Sequence, residues 1–514
     1  MYESPFSTYS RRRLLRMQQE ESHAGTGWDT SGVSGRRRLG YGSGGAEALR
    51  APVCRDAVMA ARKPCARLGE RIQRRTKETE FPGHPHGRSG LPCYRYNNPN
   101  VKTPALDSLA AEGIVFENTY VASPICIASR ASLLTGLFPQ QHGAIALNPA
   151  GFQENVVTGR IYETVAQRLT AAGYHTGLYG KSHLGDPTQY GFQQGEETGD
   201  DEAFGLAEDF LRNASEDGKS FLLWIAPHKP HIPLQPAQEW LDLYAGVELC
   251  VDPNFRESPP AESFFNQGVP GENFYRDCNY TKNYKNLPSG PPRSAEVMLE
   301  FMKAYYATIS HLDSQVGQLV SHLKTLGLHG DTVIVFLSDN GYFLGNHGLG
   351  NKITMHEESV RVPMFVHWAG LPRKGVRCPE LVSSLDLYPT LLELAGVDKP
   401  GYLMGKSLLP LFSDPTQEFT DYVASECVGV GGKKGEGHRM VRTKLWKYIL
   451  SDTNSGAEAL RAPEEALFDE VTDPYEMTNL AAATEARTVL ARMREHMRAW
   501  MDSVGDVHAR PPTT

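Results

Sequence analysis

Cys126 and Arg130 stand four residues apart in the run Pro124-Ile125-Cys126-Ile127-Ala128-Ser129-Arg130, which continues as Ala131-Ser132-Leu133-Leu134-Thr135-Gly136. Apolar residues at 116–121 predict an approach strand, and a helix is expected to begin near Ser129. A helix N-terminus offers orphan N–H groups and the positive end of a dipole, so it suits an anion and the nucleophile that attacks it. Arg130 adds a charge that cannot be titrated away. Three other segments carry residues of matching chemistry. Gly180-Lys181-Ser182-His183-Leu184-Gly185 follows a predicted strand with a cation and an imidazole. Pro227-His228-Lys229-Pro230-His231-Ile232-Pro233 follows another, and its prolines stiffen the loop that aims its histidines. Ser338-Asp339-Asn340-Gly341 ends a third, with Lys352 downstream. A carboxylate beside an amide oxygen is hard-oxygen ligation suited to Ca²⁺ or Mg²⁺.

The elements that must position these residues alternate. Helices are expected at 105–112, 162–172, 298–326 and 386–394, and strands at 175–179, 220–225, 332–337 and 364–367. Short apolar runs of this kind are what buried parallel strands show. Strands alternating with helices predict an α/β fold, a large doubly wound sheet flanked by helices. In open sheets of this type ligand groups gather at the carboxyl ends of the strands, where all the segments above fall. Residues 250–295, rich in Asn, Pro, Gly and Tyr, read as a long insertion of the kind that shapes ligand sites. After about residue 415 short strands at 440–441, 446–450 and 466–468 precede a terminal helix at 485–504. That helix has an apolar face at Val489, Leu490, Met493 and Met497. The expected organisation is therefore a leader at 1–92, a catalytic domain at 93–414, and a smaller α+β domain at 415–514.

A chain of 514 residues with 40% hydrophobic and 22% charged residues is ordinary for a globular protein and long enough for two domains. Its net charge of −8 is unevenly spread: residues 1–92 hold 17 Lys and Arg against 9 Asp and Glu, and the rest is acidic. Serine, glycine and arginine clusters there give no sustained period, so the segment is expected to be an unstructured basic leader, with a short helical stretch at 57–73. No nucleic-acid partner is expected. No apolar run is long enough for a transmembrane segment, and Arg11-Arg12-Arg13 is not followed by the apolar stretch of a secretory signal. Eight cysteines are too sparse for a disulfide scaffold and show no zinc spacing. Gly45–Pro52 and Gly456–Pro463 are the same octapeptide, which two copies do not make a solenoid repeat.

The Cys126 run resembles the signature of type I sulfatases, Cys-x-Pro-Ser-Arg with a Leu-Thr-Gly tail; Ala128 stands at the usual proline. The resemblance extends from about Cys93 to Ala482. It takes in Asn98-Pro99-Asn100-Val101-Lys102-Thr103-Pro104, the Lys181 and His231 segments, Asp339-Asn340-Gly341, and Leu344-Gly345-Asn346-His347-Gly348. Beyond these it covers Glu357-Glu358-Ser359-Val360-Arg361-Val362-Pro363 and Leu467-Phe468-Asp469. It implies an alkaline-phosphatase-like fold and sulfuric ester hydrolysis, which needs a nucleophile, cations for the sulfuryl oxygens and an acid for the departing alcohol.

By resemblance Cys126 is oxidised by a formylglycine-generating enzyme to formylglycine, whose hydrate attacks sulfur. Lys181, His231 and Lys352 contact sulfate, and Arg130 is a further catalytic residue that supplies fixed charge. His183 bonds the hydrate and deprotonates it in the second half-reaction. Cys126, Asp339 and Asn340 bind Ca²⁺ or Mg²⁺, and Asp339 is also a candidate proton donor to the leaving oxygen. The implied substrate is a sulfated carbohydrate. Family members are usually secreted, lysosomal or periplasmic, which leaves the compartment of this chain open. One family feature has no counterpart: the apolar strand ending in Asp-Asp upstream of Asn98, whose place holds Glu80-Phe81-Pro82-Gly83-His84. That gap favours one alternative, a catalytically impaired sulfatase-like protein, and the shared fold leaves another, a phosphomonoester or phosphonate hydrolase of the same superfamily.

Overall fold

A computed structural model of the chain describes residues 100–145, 147–159, 161–258, 294–429, 437–451, 464–507 and 510–512, and the backbone of 55–62. The octapeptide copies, the rest of the leader, the Cys93 boundary and most of the 250–295 insertion lie outside the described residues.

The strands are β1 (Arg55–Arg62), β2 (Ile114–Tyr120), β3 (His175–Gly180), β4 (Gln194–Glu196), β5 (Phe221–Ala226) and β6 (Thr332–Asn340). A short ribbon of β7 (Phe343–Leu344) and β8 (Gly350–Asn351) follows, then β9 (Arg361–His367) and β10 (Val376–Ser383). Eight of them form one sheet in the order β10-β2-β9-β6-β1-β5-β3-β4. Burial follows the two-residue period of a strand. On β6, Val333, Val335 and Leu337 enter one apolar cluster while Ile334 and Phe336 enter the other. On β5, Leu222 and Trp224 face the first cluster and Leu223 and Ile225 the second. This double burial explains why both strands read as continuous apolar runs.

The first face is covered by helices α2 (Cys126–Thr135), α3 (Val165–Ala171) and α7 (Leu387–Ala395), and the second by α1 (Pro104–Ala111), α4 (Asp200–Asp217) and α5 (Ala295–Thr325). Asp313 of α5 accepts from the backbone N–H groups of Ala105 and Leu106, filling the role of an N-cap for α1. A short helix, α6 (Glu357–Val360), precedes β9.

The smaller sheet is antiparallel, β11 (Val423–Val428), β12 (Gly437–Arg442), β13 (Trp446–Ser451) and β14 (Glu464–Asp469). One of its faces packs Val441, Tyr448 and Leu467 on helix α8 (Arg487–Val504) through Leu490, Met493 and Met497. Its other face sends Met440, Ile449 and Phe468 into the first cluster of the main sheet. The two sheets therefore share a core and lie in one compact unit.

Two expectations change. The sheet is mixed, because β9 runs antiparallel to β2 and β6. Residues 55–62, expected in an unstructured leader at the start of a basic helix, form β1, hydrogen-bonded antiparallel to both β5 and β6. An Ala-rich run favours a helix in isolation; here the slot between two buried strands overrides that preference. An apolar strand does precede Cys93.

Candidate active site

Strands β2, β3, β5 and β6 end at the same edge of the large sheet, and the predicted chemical segments lie at or after those ends. Helix α2 begins at Cys126 itself, three residues earlier than expected, with Ile125 extended as the N-cap. Cys126 thus occupies the first helical position and is buried. Its Sγ lies 3.6 Å from His183 Nδ1. One turn on, on the same helix face, Arg130 Nε donates to Asp339 Oδ2 at 2.8 Å, and Nη1 donates to the Lys181 carbonyl. Arg130 Nη2 is buried with no hydrogen-bond partner among the described residues. The Leu-Thr-Gly tail has a structural reason. Gly136 ends α2 at φ 69°, and a Cβ there would come within 2.7 Å of Leu403 Cδ2. His142 supports the helix from below as a neutral ring, accepting at Nδ1 from Ala144 N–H and bonded through Nε2 to Ser132 Oγ. Burial pushes its pKa down to about 3.

Lys181 follows β3, held by its N–H to the Ala226 carbonyl at 2.7 Å. His183 sits at φ 60°, an uncommon conformation for a residue with a Cβ. Glu197 fixes it by accepting from His183 N–H at 3.2 Å and from Ser182 Oγ at 3.0 Å. His231, half-buried, follows β5, its N–H bonded to His228 O and Nδ1 against the Ile232 carbonyl. His228 is exposed and bonds Asp200.

Asp339 and Asn340 are the last residues of β6 and are fully buried. Asn340 Oδ1 accepts from Lys352 Nζ at 3.3 Å, which brings the fourth segment to the others. Gly341 N–H bonds the Ser359 carbonyl at 2.8 Å, and a Cβ at Gly341 would overlap the Glu358 carbonyl oxygen. Backbone cannot yield as a side-chain tip can. Gly341→Ala should therefore lower the thermal midpoint and displace Asp339 and Asn340, a loss of about 1–3 kcal/mol for forced overpacking. Differential scanning calorimetry reads it, and an unchanged midpoint would contradict this packing.

Lys352 is buried on a strained turn: Asn351 has φ 64° and the β-branched Ile353 φ 96°. Such residues cost roughly 1–3 kcal/mol each and persist only where surroundings fix them. Ile353 N–H donates to Ser359 Oγ at 3.2 Å, which ties the turn to α6, and α6 also carries Glu357 of an ion-pair core that sequence reasoning missed. Lys447 of β13 lies 2.7 Å from both Glu357 and Glu476, and Arg442 and Arg361 approach Glu357 at 3.6 Å. Glu357 N–H donates to Glu476 Oε2, and Tyr120 OH to Glu357 Oε2. Burial pushes the Glu357 carboxyl up, but Lys447, Arg442 and Arg361 outweigh it and hold it at about 2. Glu357, Glu470 and Glu476 gather as a trio of the kind that could hold an ion; with Lys447 and Arg442 among them they form an ion-pair core. His347, whose role the sequence left open, is a partly buried strut. It stacks on His356 at 4.2 Å and its Nε2 meets Asn254 Nδ2 at 3.1 Å. A charged residue at an inward strand position, Lys447, was the available signal.

Cys126, Arg130, Lys181, His183, Asp339, Asn340 and Lys352 are thus linked through direct contacts across more than two hundred residues, and His231 shares their edge. As a cation site the donor set fits in kind, one carboxylate and one amide oxygen, both buried. It is short in number, since Ca²⁺ takes six to eight oxygens.

Comparison with known proteins bears on the family and the fold. The family described as “Sulfatase” matches residues 86–397, and “N-sulphoglucosamine sulphohydrolase, C-terminal” matches 345–503. An arylsulfatase of Clostridium perfringens is 28% identical over 463 residues, covering 77% of this chain and 89% of the relative. An N-acetylglucosamine-6-O-sulfatase of Bacteroides thetaiotaomicron is 26% identical, covering 78% and 81%. A solved structure described in complex with its substrate D-glucosamine-2-N,6-O-disulfate superposes with a TM-score of 0.66 at 21% identity, covering 80% of this chain and 95% of that one. A phosphonate monoester hydrolase from Silicibacter pomeroyi shares the fold at a TM-score of 0.64 and 19% identity. The family match spans more than half of the sequence and the shared fold spans most of it, so this chain belongs to the sulfatase family of sulfuric ester hydrolases, on the alkaline-phosphatase-like fold.

Proposed function

We propose that this chain hydrolyses sulfate esters of a carbohydrate through a formylglycine made from Cys126, with Ca²⁺ or Mg²⁺ held by Asp339, Asn340 and the modified Cys126. The observation that carries the reading is the meeting, on one buried edge, of a helix-N-terminal cysteine, the cationic side chains of Arg130 and Lys352, and the backbone of Lys181. A bound divalent cation would supply further positive charge against the sulfuryl oxygens.

The chain's own residues do the rest. Arg130, with one buried nitrogen unpartnered among the described residues, supplies donors toward an oxyanion. Lys181 and Lys352 add charge in a buried setting where it is weakly screened. His183, beside Cys126, takes the proton of the hydrated aldehyde when sulfate departs. Asp339 accepts from Arg130, a carboxylate's part, which argues against its second role as acid. His231 is then the candidate donor to the departing alcohol. Its Nδ1 lies against the Ile232 carbonyl, so the transferable proton belongs on Nε2. A sugar substrate is supported by the carbohydrate sulfatases among the relatives.

The test is turnover of matched aryl sulfate, aryl phosphate and aryl phosphonate by chain co-expressed with a formylglycine-generating enzyme, followed by N-acetylglucosamine 6-sulfate. Sulfate should be preferred by at least about 100-fold, the discrimination a differential transition-state fit readily gives. Faster cleavage of the phosphonate would overturn the assignment.

A further inference from the structure

We propose that Asn254 is a positioning residue for Lys352, an inference that rests on the sulfatase reading above, in which Lys352 meets the sulfate. Lys352 lies between two elements, the hairpin of β7 and β8 on one side and α6 on the other. The hairpin and the turn after it hold left-handed backbone at His347, Asn351 and Ile353, with φ of 54°, 64° and 96°. Such a segment keeps its shape only while its surroundings hold it. Asn254 touches both flanks. It is fully buried, and its chain neighbours run along the hairpin: Phe255 bridges Asn346, and Arg256 N–H donates to the Gly345 carbonyl at 3.1 Å. The Asn254 carbonyl accepts from His347 N–H at 2.7 Å. Its side-chain Oδ1 accepts from Asn346 Nδ2 at 2.8 Å. Its Nδ2 donates to His347 Nε2 at 3.1 Å and to Glu358 Oε1, at the start of α6, at 2.6 Å. One amide thus ties the hairpin to the helix, the two flanks of Lys352.

The chemistry of the position selects an amide. Glu358, itself buried, offers only acceptors as a carboxylate, while Asn346 presents a donor. The residue between them must donate toward α6 and accept from the hairpin, which asparagine does with a single side chain. An aspartate there would only accept, and would set a second carboxylate at hydrogen-bond distance from the first. The consequence reaches the site through Lys352, whose Nζ stands 3.3 Å from Asn340 Oδ1 at the end of β6. A lysine ammonium is a point charge on a flexible stem, so the backbone that carries it decides where it stands. A displacement of about 1 Å, caused by a change away from the chemistry, can cost about 100-fold in rate.

The experiment is steady-state kinetics with an aryl sulfate, and inhibition by inorganic sulfate, on chain matured with a formylglycine-generating enzyme. The proteins are the parent, Asn254→Asp, Lys352→Ala and the double variant. Lys352→Ala should raise both KM and the inhibition constant of sulfate. Asn254→Asp should raise both by about 10-fold with kcat changed less, the mark of lost binding. In the Lys352→Ala background the same change should add less than about 2-fold, because residues that act through one another are not additive. Hydrogen exchange of residues 347–358, read on unmatured chain, should quicken in Asn254→Asp, a result that needs no turnover. Adding Glu358→Gln to Asn254→Asp reverses donor and acceptor, and should return KM most of the way to the parent value. If Asn254→Asp fails to fold, Asn346→Ala removes one of these bonds and is compared in the same way, with a smaller shift expected. Parent-like constants in Asn254→Asp, or an equal loss with and without Lys352, would overturn the role of Asn254 and leave the sulfatase reading standing. Constants unmoved by Lys352→Ala, or no turnover by the parent, would overturn the reading of the site and Asn254 with it.

Discussion

Cys126→Ala, in chain matured with a formylglycine-generating enzyme, should lower sulfate-ester turnover by at least about 10⁴-fold, the scale on which removal of a nucleophile acts in enzymes whose site residues work as a unit. The substitution removes the first side chain of α2 and leaves the rest of the helix in place. Alanine is the best helix former and the site is a small buried one, so folding should survive. Equal thermal midpoints together with abolished turnover are the expected pair of results. Retained turnover would move the nucleophile elsewhere, with Ser129 and Ser132 of the same helix the first residues to replace.

The second large effect concerns the ion pair that joins α2 to β6. Arg130 and Asp339 are buried together, with side-chain exposures of 4% and 0%. Asp339→Ala strands a guanidinium in the core, and breaking such a pair costs about 3–5 kcal/mol. The urea midpoint should fall accordingly, and turnover should vanish. A double replacement, Arg130→Met with Asp339→Leu, should recover most of that stability, because a packed apolar pair often matches a buried ion pair. Activity should stay absent in the double variant, since the pair is placed for chemistry. Stability unchanged by Asp339→Ala would contradict the burial of the pair.

Much of this site is legible in the sequence because it is built from contiguous pieces. The Cys126, Lys181, His231 and Asp339 segments each sit at or shortly after the end of an apolar strand, so strand ends and segment positions are read together. What the sequence reading placed wrongly has physical causes. Asp339 and Asn340 close β6 instead of following it, because ladder pairing can extend past the apolar run that signals a strand. Helix α2 starts at Cys126 because Ile125 turns from extended to helical with no side-chain cap to mark the point. Helix α4 was overlooked although Ala203, Phe204, Ala207, Phe210, Leu211 and Ala214 recur with helical period after Asp200-Asp201-Glu202. Strand β1 is different in kind. Its Ala-rich run carries no local strand signal, and its state is set by the two strands on either side. The ion-pair core around Lys447 draws on residues from β9, β12, β13 and the loop after β14, and no local pattern announces such an assembly.

The most direct measurement of the central claim is a maturation series. Chain co-expressed with graded amounts of a formylglycine-generating enzyme would be digested, the aldehyde fraction of the Cys126 peptide read by mass spectrometry, and aryl-sulfate turnover measured on the same samples. Turnover rising in proportion to the aldehyde fraction, and extrapolating to zero at zero aldehyde, is the predicted result. Full turnover from chain whose Cys126 remains an unmodified thiol would contradict it.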